Sequence, residues 1–466
     1  MSHSSLLYVA AVIAVWAAAR LSSSRSVRLW LYLSASWIFY FSLDARFLPL
    51  LVLSSVFNYH YGRLIRRQPR VGMLWAGALV NVALLAVFKY LPDIGPFFPQ
   101  SPFWQHVAEI ALPLGVSFWT FQALSYLFDQ YRGDDTNPSL GEFCLYMGFA
   151  PTVMSGPICR AGDLVPQFRA PFAGSWTSVQ EGAQGVWVGV GMITLARMLA
   201  AGHGGFGVAD AFALRGTLGT ADAWVMLLGY GFQIYFDFAG YSRLVIGVAR
   251  MFGFQLPENF DRPYLSTSVT SFWQRWHMSL SFWIRDYVFL PLAMSRREVW
   301  WRHASLVISM AVFGLWHSAS WLFLLWGVYQ GLMLVGHRLW QQLRRGAAPI
   351  GPRWLHSGAS WLLTFLVIIL SWTLFRAEGA SHAAGILRAA LIPTAGLQLP
   401  GGFVLLVVGL VAGYFASQLA VSRVPQRAPG LLSWLPMPAR FACYAAIFYL
   451  AVFRAAEAQG FIYAQF

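Results

Sequence analysis

From Val71 to Tyr90 the chain runs for 20 residues with Lys89 as its only charged side chain, and comparable apolar runs recur along most of its length, separated by short arginine-bearing stretches. A hydrocarbon core of about 30 Å takes about 20 apolar residues in a helix rising ~1.5 Å each. Lipid offers backbone groups no partner, so only helices or closed barrels cross it. The runs lack the period-two alternation of a barrel strand, which leaves helices. Composition agrees: 58% of the residues are hydrophobic, 11% are charged, and the mean hydropathy is +0.56. A soluble fold of 466 residues cannot hide that much apolar surface. The fold class expected is therefore all-α, a polytopic protein of the lipid bilayer. The net charge of +14 rests on arginine, since Lys89 is the single lysine. Because those arginines sit in short loops between apolar runs, they follow the positive-inside pattern, and no nucleic-acid partner is expected.

Arg20, Arg25 and Arg28 follow a first run, Leu6–Ala19, which has no basic residue before it and reads as a retained helix rather than a signal peptide. Two runs, Leu29–Leu43 and Ala45–Tyr61, hinge at Asp44 and lead to Arg63, Arg66, Arg67 and Arg70. Two crossings return to the starting side, so both basic clusters are placed in the cytoplasm. Val71–Tyr90 then exits, and Val107–Phe128 returns to deliver Asp129 and Arg132. Phe143–Cys159 is interrupted by Pro151, Gly156 and Pro157; a re-entrant or broken element and an ordinary kinked span both fit. Glycine-rich Gly182–Leu199 and Ala223–Tyr241 read as two more spans. Further runs near Trp361–Phe375, Gly401–Leu419 and Phe441–Phe453 bring the expectation to eleven or twelve crossings in a single membrane-embedded domain, 1–466, with the side of the C-terminus open. Cys144, Cys159 and Cys443 form no CxxC motif and no disulfide framework; apolar packing and a thioester-carrying nucleophile are the two readings.

Polar chemistry concentrates between Trp273 and Trp326. Trp273, Trp276, Leu280, Trp283 and Tyr287 recur at spacings of three and four, which predicts one amphipathic helix lying in the cytoplasmic interface, with Arg275 and Arg285 beside it. His277 falls on the border of its two faces. The next span heads outward from His303, and His317 lies 14 residues on, about 21 Å along a helix, near the outer turn of a hairpin that returns through Ser320–Gly336. An ionisable group at such a depth marks a functional site by default. Asp237 is the one acid near the end of an apolar run, and either caps or pairs locally with Arg243 or helps to shape a polar cavity. Arg160, Arg275 and Arg285 suit a phosphate-bearing ligand, and equally obey the positive-inside rule. These residues admit three classes of function: His317 as general base of an acyltransferase, His277 and His317 as axial ligands of a b-type haem, or a histidine and Asp237 as relay of a proton-coupled exporter of acyl or lipid-linked material. No GxSxG elbow supports a serine-hydrolase mechanism, and no metal site is expected.

The segments PLGVSFWTFQALSYLFDQYRG (Pro113–Gly133), SGPICRAGDLVPQF (Ser155–Phe168), YFDFAGYSRLVIGVARMFGFQLPENFDRPY (Tyr235–Tyr264), SFWQRWHMSLSFWIRDYVFLPL, LWHSASWLFLLWG and the closing FIYAQF occur in the order and spacing of one family. On them the chain resembles the membrane-bound O-acyltransferase family, in its bacterial branch of alginate O-acetylation membrane subunits and teichoic acid D-alanyl transferases. The resemblance implies re-entrant and interfacial helices around a central funnel, in a multi-pass protein of the bacterial inner membrane. It implies His317 as the essential histidine and His277 as the second. Arg160, Arg275, Arg285, Asp237, Asn259, Trp316, Ser318 and Trp321 are then candidates for donor binding or funnel lining. The donor implied is acetyl-CoA, another acyl-CoA or an acyl carrier protein thioester, with no bound cofactor. The partners implied are a polysaccharide acceptor and an SGNH-type periplasmic or surface acetyltransferase. Ser318 and Ser320 stand where the family often has Gly and Asn, and Ala293 and Met294 where it commonly has two glycines, which weakens any carry-over of acceptor identity.

Overall fold

The computed structural model describes residues 3–94, 101–214, 218–344 and 352–423; the run Phe441–Phe453, Cys443 and the closing FIYAQF lie outside the described residues. The described residues are helical, with one isolated bridge, His203 to Phe206, and no strand. In chain order the principal helices are α1 (His3–Leu21), α2 (Arg25–Leu43), α3 (Leu48–Arg67), α4 (Val71–Lys89), α5 (Val116–Tyr131), α6 (Leu140–Gly148), α7 (Ala161–Arg169) and α8 (Trp176–Ala201). They continue with α9 (Thr220–Met251), α10 (Val269–Trp273), α11 (Met278–Ile284), α12 (Val299–His317), α13 (Trp321–Leu343), α14 (Arg353–Arg376), α15 (Ala380–Leu391) and α16 (Gly401–Arg423). Among the described residues four helical stretches are long and apolar enough to cross a membrane: Val71–Lys89, Trp176–Ala201, Trp354–Arg376 and Gly401–Leu419.

Two compact units are resolved. The first comprises Met1–Val186, Ser242–Glu258 and Phe282–Val288. Asp44 is the hinge expected of it: it ends α2, and its carboxylate accepts the Arg46 backbone N–H at 3.1 Å to start the next turn. Asn58 and Asn81 exchange amide hydrogen bonds at 3.0 and 2.8 Å between α3 and α4, a buried polar clasp that sets the register of two apolar helices. The span expected from Val107 begins only at Val116. Pro113 and Gly115 break the chain before it, and Gly115 holds a φ of +73° where a Cβ would meet the Val153 carbonyl at 1.8 Å. From Val116 to Leu127 every residue of α5 is buried. Of the two readings of Phe143–Cys159, the broken one holds: α6 stops at Gly148 and the chain turns without helix as far as Arg160.

Glu142, 2% exposed in its side chain, ties α6 to its surroundings. It closes a capping box with Ser139 and takes the guanidinium groups of Arg25 and Arg169, the latter at 3.0 and 3.1 Å. Burial pushes its carboxyl up, but the bonds from Arg169, the Ser139 N–H and Arg25 outweigh that and bring it down to about 2. A carboxyl depressed in the fold stabilises it above the unfolded value near 4.3 and loses that contribution as pH falls towards 2, roughly 3 kcal/mol at most. Thermal unfolding in detergent is expected to drop steeply between pH 5 and pH 3, and Glu142→Gln to flatten that slope. An unchanged slope in the variant would show that other carboxylates govern acid unfolding.

The second unit comprises Trp187–Tyr241, Asn259–Ser281 and Phe289–Phe466. Its tightest pair is the antiparallel hairpin α12–α13. Glycines make the approach possible: a Cβ on Gly314 would sit 2.1 Å from the Phe323 carbonyl oxygen, and one on Gly327 would sit 2.2 Å from that of Met310. Ser318 ends α12, and the Ser320 hydroxyl accepts the Leu322 N–H at 3.3 Å to open α13. The single amphipathic helix expected from Trp273 to Tyr287 does not form. α10 ends at Trp273, His277 turns the chain with a φ of +44°, α11 restarts at Met278, and a π-helical turn follows over Arg285–Phe289. The spacing of aromatic residues was right for burial, but the left-handed turn redirects it, so successive rings face different neighbours.

Candidate active site

His277 is fully buried, not on a border between two faces. Its left-handed backbone is costly for a non-glycine residue, about 1–2 kcal/mol, and persists because its neighbours hold it. Asn259 does the holding. Its backbone carbonyl takes the Met278 N–H at 2.9 Å, and its side-chain Oδ1 takes the Ser279 N–H at 3.2 Å and the Ser279 hydroxyl at 2.9 Å. A backbone N–H can only donate, so the atom it meets is the amide oxygen. The His277 Nδ1, 3.1 Å from the same oxygen, must then carry its proton. Nε2 is left as the acceptor of the neutral ring. The edge of Phe238 packs on the imidazole at 4.6 Å.

His317 is the last residue of α12 and is 3% exposed. Aromatic rings enclose it: Trp316 at 4.6 Å, Phe375 at 5.0 Å, Phe313 at 5.2 Å, Trp326 at 5.6 Å and Phe323 at 6.0 Å between centroids. Two rings bridge it to the neighbourhood of His277. Trp326 stacks on Trp372 at 6.3 Å, and Trp372 meets Trp276, the residue before His277, at 5.2 Å. The second unit thus brings both predicted histidines to one aromatic core. Trp326, Trp372 and Phe375 were not singled out in the sequence, because a buried aromatic residue in an apolar helix looks like any other core residue.

Other predicted residues divide. Trp316 is buried beside His317, Ser318 caps α12, and Trp321 is 51% exposed at the start of α13. Asp237 lies buried in the interior of α9, away from both helix ends. Arg243 reaches Glu258 at 3.4 Å. Arg275 is half-buried, and its carbonyl accepts the Asp261 N–H at 3.0 Å.

Arg160 and Arg285 belong to the first unit, where both converge on Asp286. Arg285 Nε donates to Oδ1 at 2.6 Å, Arg160 bonds Oδ2, and Arg132 reaches the Asp286 backbone carbonyl at 3.0 Å. Burial pushes the Asp286 carboxyl up, and the Arg285 and Arg160 bonds more than reverse it, so the group stays ionised. The guanidinium groups of Arg132 and Arg160 each lie 5.2 Å from the Tyr287 ring centroid, and the Tyr287 hydroxyl donates to Asp129 at 2.8 Å. This knot sits on the π-helical turn, an irregularity frequent at functional sites. Arg160 and Arg285 share the Asp286 carboxylate, and with Arg132 and Asp129 counted the cluster sets three guanidinium groups against two carboxylates, a net positive charge to meet an anion. Cys144 and Cys159 are buried, and the Cys159 thiol donates to the Pro157 carbonyl at 3.4 Å, which favours packing over a nucleophile.

Among known proteins, the profile of MBOAT, membrane-bound O-acyltransferase family, matches residues 46–376. The chain is 37% identical over 373 residues to the probable alginate O-acetylase AlgI of Azotobacter vinelandii, covering 76% of this chain and 70% of that one. It is 32% identical over 394 residues to the peptidoglycan O-acetyltransferase of Helicobacter pylori, covering 78% and 73%. Similarity extends to the teichoic acid D-alanyltransferase of Streptococcus thermophilus, at 30% identity over 282 residues, covering 56% and 68%.

Proposed function

Because the chain belongs to the membrane-bound O-acyltransferase family, and so is a multi-pass membrane O-acyltransferase, we propose that it carries an acetyl group from a cytoplasmic thioester, acetyl-CoA or a carrier protein, to a hydroxyl outside the bacterial inner membrane. The acceptor is a polysaccharide, or an SGNH-type partner that passes the group on. The observation that carries this reading is the pair of histidines in one aromatic core, one held in a defined tautomer.

His317 acts as general base. It takes the proton of the acceptor hydroxyl as that oxygen attacks the thioester carbonyl; the new C–O bond forms, the C–S bond breaks, and the proton passes to the departing thiolate. His277, neutral and with Nε2 as acceptor, orients the donor. Within the first unit, Arg160 and Arg285 are the groups suited to an anionic phosphate. Because His317 is almost fully enclosed, this mechanism requires its aromatic surround to open for the reactants.

Purified protein incubated with radiolabelled acetyl-CoA and an SGNH partner or polysaccharide is expected to consume the thioester and label the acceptor. An intact thioester would instead indicate an exporter. Asn259→Leu strips the acceptor from His277 Nδ1–H and from Ser279, and is expected to slow transfer about 10- to 100-fold, the equivalent of 1–3 kcal/mol for buried donors left unpaired. Asn259→Asp keeps the acceptor oxygen and should recover most of the rate. Equal loss in both variants would count against tautomer control.

A further inference from the structure

In the first unit lies a cavity of about 330 Å³ lined by Arg28, Tyr32, Gln167, Phe172, Phe252 and Phe254 among others, with neither histidine in its lining. Its size is that of a small-molecule site. Arg28 is only 6% exposed, and its guanidinium bonds three backbone carbonyls: Ser22 at 2.9 Å, Ser23 at 3.2 Å and Ala170 at 3.4 Å. Among the described residues no carboxylate pairs with it. The nearby acid, Glu142, is already engaged by Arg25 and Arg169. A second cation, Arg20, bonds the Gly174 carbonyl at 3.1 Å and also has no carboxylate among the described residues. A buried cation held only by dipoles lacks its counter-charge. Part of the wall is aromatic: Tyr32 meets Phe252 and Phe254 edge-on at 6.1 and 5.3 Å, and the lining Phe172 meets Trp16 behind it at 6.0 Å. The rim is braced by Gln167, which accepts the Gln255 N–H at 2.7 Å and donates to its carbonyl at 3.0 Å.

The cavity also has a level in the bilayer. The apolar stretch Ala10–Leu21 ends with Arg20, whose bond to the Gly174 carbonyl sets it one residue from the lining residue Ala173, and the span Trp176–Ala201 starts three residues after Ala173 with a half-exposed Trp176. Tryptophan at the start of a span and arginine at the end of an apolar helix mark the membrane–water interface, on the cytoplasmic side by their charge. Anionic headgroups lie there, and basic pockets at that depth are where they bind.

We propose that this cavity binds the phosphate of an anionic phospholipid, with Arg28 as its counter-charge and the aromatic wall against its glycerol and first acyl carbons. The test is native mass spectrometry on the full chain in detergent, with phosphatidylglycerol, phosphatidylcholine, inorganic phosphate and acetyl-CoA as separate probes. One phosphatidylglycerol is expected to bind about 10-fold more tightly than phosphatidylcholine. Arg28→Gln should abolish that preference. Ala173→Trp, which fills the mouth and leaves the bonds of Arg28 in place, should abolish it too and decides the matter if Arg28→Gln does not fold. Arg70→Gln, at an exposed arginine elsewhere, should leave it unchanged. Equal binding of the two lipids, or a preference that survives Ala173→Trp, overturns the proposal. Displacement of phosphatidylglycerol by phosphate or acetyl-CoA at equal concentration would assign the site to a soluble anion and overturn the lipid assignment.

Discussion

His317→Gln is expected to lower acetyl transfer by about 10²- to 10⁴-fold, the contribution typical of a general base. Glutamine fills a similar volume among Trp316, Phe375 and Phe313, so the hairpin end should keep its packing. It has no site that accepts a proton at neutral pH. Labelled acetyl-CoA should therefore still bind while transfer to the acceptor stops. Cys144→Ala and Cys159→Ala, at buried thiols, should leave transfer intact. Retention of more than a tenth of the activity by His317→Gln would remove it as general base, and that retention together with loss of activity in either cysteine variant would replace the direct mechanism with an acyl-enzyme one.

Gly327→Val carries the largest expected structural effect. Its Cβ would stand 2.2 Å from the Met310 carbonyl oxygen and 2.9 Å from the Ala311 Cα, both backbone atoms that no side-chain rotation can clear. α12 and α13 would have to part, and overpacking of this kind costs about 1–3 kcal/mol or more. Loss of monodisperse protein on detergent extraction is the expected readout, with activity falling alongside because His317 caps the same hairpin. Gly336→Ala is the control on the same helix: its Cβ would meet nothing within 4 Å, and the variant should behave as the parent. Wild-type yield and stability for Gly327→Val would mean that the hairpin is looser than this packing.

Much of the architecture was legible. Apolar runs announced helices, Asp44 announced a hinge, and the prolines and glycines after Phe143 announced a break, since each is a local backbone preference. His317 stood out because an ionisable residue in an apolar run is rare and costly. The stretch after Trp273 departs from its spacing for a physical reason. A period of three to four residues reports which side chains are buried, but not that His277 occupies a left-handed conformation stabilised by Asn259, 18 residues away. Asp286 shows the same limit: nothing in its neighbours along the chain says that it will gather Arg160 from 126 residues away.

What the sequence alone determined was a membrane-embedded, all-helical chain with its arginines in loops and two histidines as candidates for chemistry, because hydropathy, charge placement and residue type act over a few neighbouring positions. Only the tertiary structure decided that Trp326 and Trp372 join the surroundings of those histidines, that His277 keeps its proton on Nδ1, and that Arg28 is buried with no carboxylate paired to it among the described residues. Those depend on contacts between segments distant in the chain, and a side chain's hydrogen-bond partners and burial are set by which segments pack against it.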